Sequence, residues 1–319
     1  MTGREVVLDD VRAIRAGEPV LLLGQDQGVV ALPASLASTR WTAWVVRHSS
    51  GLLSVALDTA RADELRLPPM VVGGPASGPA YAVSVDAANG ITTGISAADR
   101  AHCARLLADP ATRPEDLRRP GHVLPIRVPA DPAPAGYGFP EAAIDLCRQA
   151  GLPAAALLAT VVDDGGNVAT AAQVRALAAE HGIVTADCAA IGAPRFAGTL
   201  RKVAAIELPT GRGPLRAESY LDTASGLRHL VIFGRTPGPV GTQLECVTGA
   251  VLGGTGCPCR ARLDASIARL HDQGGILVYL RSGQAGRHQD LTVADRAVST
   301  ALLSTAGFES RRPQERAAR

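Results

Sequence analysis

Short apolar runs alternate with stretches of helical spacing along the first two thirds of this 319-residue chain, and that alternation most restricts what it can fold into. Residues 19–23, 52–57, 81–86 and 154–162 read as strands, because brief apolar runs bounded by turn residues suit a covered sheet. Residues 9–17, 58–67, 97–108, 140–150 and 171–181 have helical spacing, with Pro140 at a first turn and Gly17 and Gly182 as helix ends. Repeated helix and strand imply an α+β fold with α/β-type alternation through about residue 200. A basic, mixed segment over 194–205 then leads into a strand-rich region starting near Ile206, with strands at 228–234 and 276–280 and a helix over 261–274 between them. Single cores stop growing near roughly 250 to 300 residues, so two domains are expected, 1–200 and 201–319. The last residues, 313–319, are expected to fray.

The apolar fraction is 46% and the formal net charge only +2, which argues against disorder and against a broad electrostatic footprint for nucleic acid. No apolar run approaches the roughly 20 residues that cross a bilayer, so no membrane association is expected. Residues 1–10 carry acids where a secretory leader is basic and then apolar, which makes the cytoplasm the expected compartment. Six cysteines do not make a disulfide scaffold in a chain this long. Cys103, Cys147 and Cys188 are scattered, whereas Cys246, Cys257 and Cys259 cluster, and only the cluster asks for chemistry.

Four phrases stand in order in the first half: Arg47-His48-Ser49-Ser50-Gly51, Leu67-Pro68-Pro69-Met70-Val71, Thr93-Gly94-Ile95-Ser96 with Asp99-Arg100, and Arg119-Pro120-Gly121-His122. Together they resemble the 3,4-dihydroxy-2-butanone-4-phosphate synthase family over most of residues 10–190. The resemblance implies a compact α+β domain, typically a homodimer, that converts ribulose 5-phosphate to dihydroxybutanone phosphate and formate with a divalent metal. Such chemistry needs acid–base groups to form an enediol, a cation to hold its charge and donors for the phosphate. Thr93, Ser96, Arg100 and Arg119, on what read as loops and a helix start, supply hydroxyl and guanidinium donors, with Asp99 beside them. His122, Glu141 and Asp26 are the catalytic candidates, His122 for moving protons near neutral pH. The competing reading makes Arg100 the partner of a nearby acid, His122 a satisfied structural histidine and Glu141 and Asp145 first-turn acids complementing a helix dipole.

The chain departs from that family's pattern where the metal belongs. The acidic, glutamate-rich loop that the resemblance implies after the first strand is only Gly24-Gln25-Asp26-Gln27-Gly28, and Asp26 alone is a thin supply of oxygen ligands. The expected histidine ligand falls on Phe139, the expected acid before Asp163 on Ala159, and a frequent cysteine on Ser54. Magnesium or manganese binding in the family manner is therefore not expected.

In the second half, Glu245-Cys246-Val247-Thr248-Gly249 followed by Gly256-Cys257-Pro258-Cys259 is similar to the zinc signature of GTP cyclohydrolase II, and Leu208-Pro209-Thr210 and residues 276–281 also fit. Three thiolates with one open position suit a catalytic zinc. Around them the expected basic and histidine positions read Gly241-Thr242-Gln243-Leu244, the expected aspartate is Ala250 and the expected arginine is Gly256. The segment from Arg281 to Arg287 lacks a glutamate, Asp295-Arg296 stands where a remnant acid and arginine pair would fall, and this domain is shorter than in the family. The expectation is a riboflavin-pathway protein with weak or lost synthase activity and no GTP hydrolysis. Alternatives are a non-catalytic partner, homodimeric or paired with an intact homologue, and an enzyme repurposed for another sugar phosphate or a purine-like substrate.

Overall fold

The computed structural model describes residues 8–24, 26–71, 79–130, 136–281 and 291–308. It divides into two compact units, and the division falls between Ile191 and Gly192. Each unit is built around its own sheet.

The N-terminal unit contains, in chain order, α1 (Asp9–Arg15), β1 (Val20–Gly24), β2 (Gln27–Pro33), α2 (Thr39–Arg47), β3 (Leu53–Asp58), α3 (Thr59–Glu64), β4 (Ala80–Tyr81), β5 (Val85–Ala87), α4 (Ala97–Ala108), β6 (Leu117–Val128), α5 (Phe139–Gln149), β7 (Ala155–Thr160), α6 (Ala171–His181) and β8 (Val184–Asp187). Its sheet runs β4-β6-β3-β7-β2-β1-β8, with β5 also paired to β6. Every residue of β1 is buried, and Leu21, Val30, Leu32, Val55, Leu57 and Leu157 form the core with side chains from the covering helices. Local signals place the helices. Ser96 caps α4 by accepting the Asp99 N–H, and Thr170 and Gln173 cap α6 reciprocally before Gly182 ends it at φ 65°.

The sheet is mixed: β3 and β6 run parallel, as do β1 and β8, and the other pairings are antiparallel. Several expected elements need correction. Residues 81–86 form two short strands rather than one, and Arg119 lies on the long strand β6 rather than in a loop, with His122 on the same strand. Pro120, Gly121 and Pro125 disguise β6 as loop sequence. Gly121 is required because β5 lies so close that an added Cβ would sit 2.0 Å from the Val85 carbonyl carbon.

Helix α7 (Cys188–Ala197), whose last residues fall in the segment read as basic and mixed, leads to β9 (Leu200–Thr210), β10 (Gly213–Asp222), β11 (Arg228–Phe233), β12 (Val240–Leu244), α8 (Cys259–Asp272), β13 (Ile276–Leu280) and α9 (Val293–Thr305). The strands begin at Leu200, ahead of the expected start near Ile206. Their sheet order is β12-β13-β11-β10-β9, antiparallel except for the parallel β12–β13 pair. The tail over 313–319 lies outside the described residues.

Candidate functional sites

In the N-terminal unit, strand register brings the retained side chains to one end of the sheet. Leu53 of β3 and Val85 of β5 both pair with Val123 of β6, so the residues just before β3, the start of β5 and His122 are neighbours. His122 donates its backbone N–H to Asp86 Oδ1 at 2.9 Å, and its Nδ1 lies 2.7 Å from Asp86 Oδ2. Asp86 is buried and the His122 side chain is 42% exposed, so the carboxylate fixes the Nδ1–H tautomer and leaves Nε2 without a partner among the described residues. Sequence reading missed Asp86. It was placed inside a strand as one acid among thirty acidic residues, with no spacing to tie it to His122.

The loop before α4 lies directly on this pair. Gly94 has φ +88°, and a Cβ there would fall 2.3 Å from Asp86 Oδ2 and 2.7 Å from His122 Nδ1, so only glycine fits. Asp99 holds the loop from behind: it accepts the Thr92 hydroxyl at 2.7 Å, the Thr92 N–H at 3.2 Å and the Gly94 N–H at 3.1 Å. These bonds, the Thr92 hydroxyl foremost, keep its carboxyl below the ordinary aspartate value. Thr92 is the loop's anchor, while Thr93 is exposed and Ser96 is committed to capping α4.

Arg100 is 5% exposed and has no carboxylate partner among the described residues. One guanidinium nitrogen donates to the Gly51 carbonyl at 2.7 Å, Nε has no acceptor, and burial lowers its pKa. The reading of Arg100 as half of an ion pair is thereby set aside. A buried cation with an unused donor is costly unless an anion visits it. Arg119 shares a buried Nε without an acceptor but is only half-buried, and the carbonyls of Leu65, Pro114 and Leu117 take up its two terminal nitrogens.

The remaining candidates are not assembled with these. Gly24 and Gln27 are already ladder partners, so the expected loop is a tight hairpin turn with Asp26 exposed in it, its carbonyl accepting the first N–H of α6. Phe139 opens α5, and Glu141 caps that helix by accepting the Gly138 N–H at 2.9 Å. Asp145 is buried and bonded to Arg148, which also reaches Asp58, and to the Tyr137 hydroxyl. Ala159 pairs with Val30 and lies in the apolar core, and Ser54 is buried on β3. These residues do not fit a hard divalent cation, which wants several oxygen ligands around one point.

In the C-terminal unit, Cys246 follows β12, Cys257 lies in the loop after a wide helical turn over Val247–Val251, and Cys259 opens α8. Their sulfurs lie within 4.8 Å of one another. Cys246 Sγ accepts the Gly249 N–H at 3.3 Å and lies 3.5 Å from the Thr248 hydroxyl, and these bonds hold its thiol down to about 6. Burial pushes Cys259 up to about 12, with the neighbouring sulfurs adding to the rise. A divalent cation removes that penalty by binding thiolates. The turn is built round the sulfurs: a Cβ on Gly249 would fall 2.3 Å from Cys257 Sγ. This donor set fits zinc. By contrast, Cys103 and Cys147 are buried and pushed up to about 12, which leaves them unreactive.

Beside the cluster a cavity of about 450 Å³ is lined by Thr242, Gln243, Cys259, Arg262, Arg269 and Arg296 among others. Thr242 is bonded to Ser299 and Gln243 to the Cys259 carbonyl, so neither side chain is free to replace a missing basic donor. Asp295, read as a remnant acid, shares a reciprocal cap with Thr292 at the start of α9. Residues 282–287 of the expected phosphate-handling segment lie outside the described residues.

Comparison with known proteins agrees with both halves. Residues 9–193 match the family model of 3,4-dihydroxy-2-butanone 4-phosphate synthase, and residues 201–315 match that of GTP cyclohydrolase II. Riboflavin biosynthesis protein RibBA of Mycobacterium ulcerans is 37% identical over 306 residues, covering 90% of this chain and 72% of the relative. The protein of the same name from Salinispora arenicola is 38% identical over 300 residues, covering 90% and 71%. A crystal structure of 3,4-dihydroxy-2-butanone 4-phosphate synthase in complex with two magnesium ions aligns with TM-score 0.54 and 36% identity, covering 60% of this chain and 96% of that one. The two-domain synthase RibBX from A. baumannii, at 24% identity, shares the fold across 94% of this chain and 90% of its own with TM-score 0.62.

Proposed function

The chain belongs to the 3,4-dihydroxy-2-butanone 4-phosphate synthase family, with a GTP cyclohydrolase II domain behind the synthase domain as in the riboflavin-biosynthesis proteins RibBA, and from that premise we propose that it binds a sugar phosphate of the ribulose 5-phosphate type without the family's magnesium-dependent turnover. The observation that carries this reading is Arg100: a buried guanidinium with an unused Nε and no carboxylate partner among the described residues, next to the loop that seats the His122–Asp86 pair. An anionic phosphate satisfies Arg100, and His122 Nε2 stands ready to exchange a proton with a sugar hydroxyl. What is missing is the charge stabiliser. Losing one preorganised electrostatic contact costs about 10² to 10³ in rate, and here the positions of several are filled by Phe139, Ala159 and a tight turn.

In this reading the synthase-like unit spans residues 1–200 and the cyclohydrolase-like unit 201–319. The second unit holds one zinc through Cys246, Cys257 and Cys259 and does not open GTP. Bound zinc supplies a Lewis acid that lowers the pKa of a bound water. The residues here orient the sulfurs through Thr248 and Gly249, but the neighbouring strand offers no free basic side chain.

Calorimetric titration with ribulose 5-phosphate, followed by formate assays with ribulose 5-phosphate plus magnesium and with GTP, tests the reading. Binding with negligible formate from either substrate is expected. Magnesium-dependent turnover on the order of 1 s⁻¹ would overturn the loss of catalysis, and absence of binding would overturn the sugar-phosphate assignment.

A further inference from the structure

The chain has two tryptophans, and one of them, Trp44, stands against a pair of histidines in the N-terminal unit. His48 is the residue that ends α2, one turn beyond Trp44, and its ring lies 4.4 Å from the Trp44 ring at 37°. His181 is the last residue of α6, 5.3 Å from Trp44 edge-on and 4.9 Å from His48. Trp41 meets Trp44 edge-on at 6.4 Å. Trp44 is buried, its indole N–H has no acceptor among the described residues, and its ring touches the ends of both α2 and α6.

The segment after His48 leads to the ligand-facing side of the unit. The His48 carbonyl accepts the Val162 N–H, Ser49 bridges Val161, and the Gly51 N–H donates to the Ser49 hydroxyl. Gly51, at φ +78°, then offers its carbonyl to Arg100. Thus the seat of Arg100 hangs from the residue that touches His181 and Trp44.

We propose that the His48–His181 contact is a proton-operated latch: while both rings are neutral it clamps the ends of α2 and α6 across Trp44, and protonation opens it and loosens the 49–51 segment that seats Arg100. The charges facing the pair are Arg47 on α2, Glu180 on α6 and Asp164 in the turn after β7. Arg47 opposes a proton on His48. Glu180, whose carboxylate is 4.0 Å from His181, and Asp164 favour one, but both are exposed and screened. A proton on His48 is disfavoured by the adjoining His181 ring, and no buried acid among the described residues faces the pair.

Burial, and then His181, lower the pKa of His48 below 6.5. The unfolded chain therefore takes up this proton first. The latch contributes fully above the unfolded value and is lost as pH falls through the depressed folded one.

Because Trp41 and Trp44 are the two indoles and Trp44 touches both histidines, intrinsic fluorescence followed from about pH 8 to about pH 5 reads the pair, since opening moves the rings away from Trp44 and changes its surroundings. One transition with a midpoint below 6.5 is expected in the intact chain. His48→Asn, which suits a helix end, abolishes it, and His181→Gln moves the midpoint up by removing the opposing ring. Amide exchange at Ser49–Gly51 should rise severalfold below the midpoint in the intact chain but not in His48→Asn. A transition that persists in His48→Asn, or exchange at 49–51 that ignores the midpoint, overturns the proposal. Should His48→Asn fail to fold by circular dichroism at pH 8, the His181→Gln midpoint decides alone, and an unmoved midpoint refutes the latch.

Discussion

In the proposed reading the cysteine cluster and the sugar-phosphate site around Arg100 and His122 depart from the family pattern in opposite ways. Around Cys246, Cys257 and Cys259 three sulfurs stand together while the adjoining strand β12 carries no basic side chain, whereas around His122 the organic groups and their supports stand together while Phe139 and Ala159 occupy the positions where the resemblance implies metal-site residues. The cause lies in how each site is built. The three sulfurs come from one short stretch whose turn closes on them, so Gly249, Thr248 and the cysteines form one local unit that change elsewhere does not touch. The metal ligands that the resemblance implies would instead come from a hairpin, a helix start and a strand interior. In this chain each place has its own structural occupant: a tight turn at Asp26, Phe139 opening α5, and Ala159 in the core. A site assembled from distant elements is lost piece by piece, and each replacement is stable by itself.

The sharpest way to break this contrast is to attack the cysteine unit. Cys259→Ser, alone or with Cys257→Ser, should reduce zinc from about one per chain to near none, because two soft ligands do not hold the metal against buffer. Metal analysis after chelator-free purification measures it. Zinc content unchanged in the double variant would mean that the cluster is only a group of reduced thiols.

The next test strikes the other site. Arg100→Met removes a buried charge but keeps the volume, so it should leave the empty protein as stable or stabilise it, while weakening ribulose 5-phosphate binding on the order of 10- to 100-fold, the worth of a charge-assisted hydrogen bond. Arg119→Ala serves as the contrast. It strips the donor from three carbonyls, so it should lower thermal stability and change affinity little. Equal losses of affinity in the two variants would place both arginines on the phosphate and dissolve the distinction drawn here.

How much of this was legible in the sequence follows the same division. Helices with paired end signals were readable almost to the residue: α4 begins behind Ser96, and α6 runs from Thr170 to Gly182. The cysteine site was readable because its information is local. Strand β6 was not, since Pro120, Gly121 and Pro125 look like breakers until β5 is seen pressing on Gly121. Asp86 was invisible for a related reason: what makes it a partner for His122 is antiparallel pairing across 36 positions, which no spacing rule reports. Arg100 and Arg119 looked alike as guanidinium donors, and only their surroundings separate them.

The smallest expected effect concerns Glu141, which the family resemblance offers as a catalytic acid and the structure places in a helix cap. Its carboxylate accepts the Gly138 N–H at 2.9 Å, completing the first turn of α5 behind Pro140. Glu141→Gln keeps an acceptor oxygen in the same place and removes only the negative charge that complements the helix dipole. The stability cost should therefore be about 0.3 to 1 kcal/mol, seen as a shift of a few degrees at most in the melting temperature. Affinity for ribulose 5-phosphate should stay within about twofold, a change below roughly 0.4 kcal/mol, if Glu141 serves only the helix cap. Glu141→Ala removes the acceptor as well and should cost about 0.5 to 2 kcal/mol, again without a matching loss of affinity. If Glu141→Gln instead weakened binding tenfold while the melting temperature held, Glu141 would belong to the sugar-phosphate site, and the boundary between its retained and lost groups would have to be redrawn to include the start of α5.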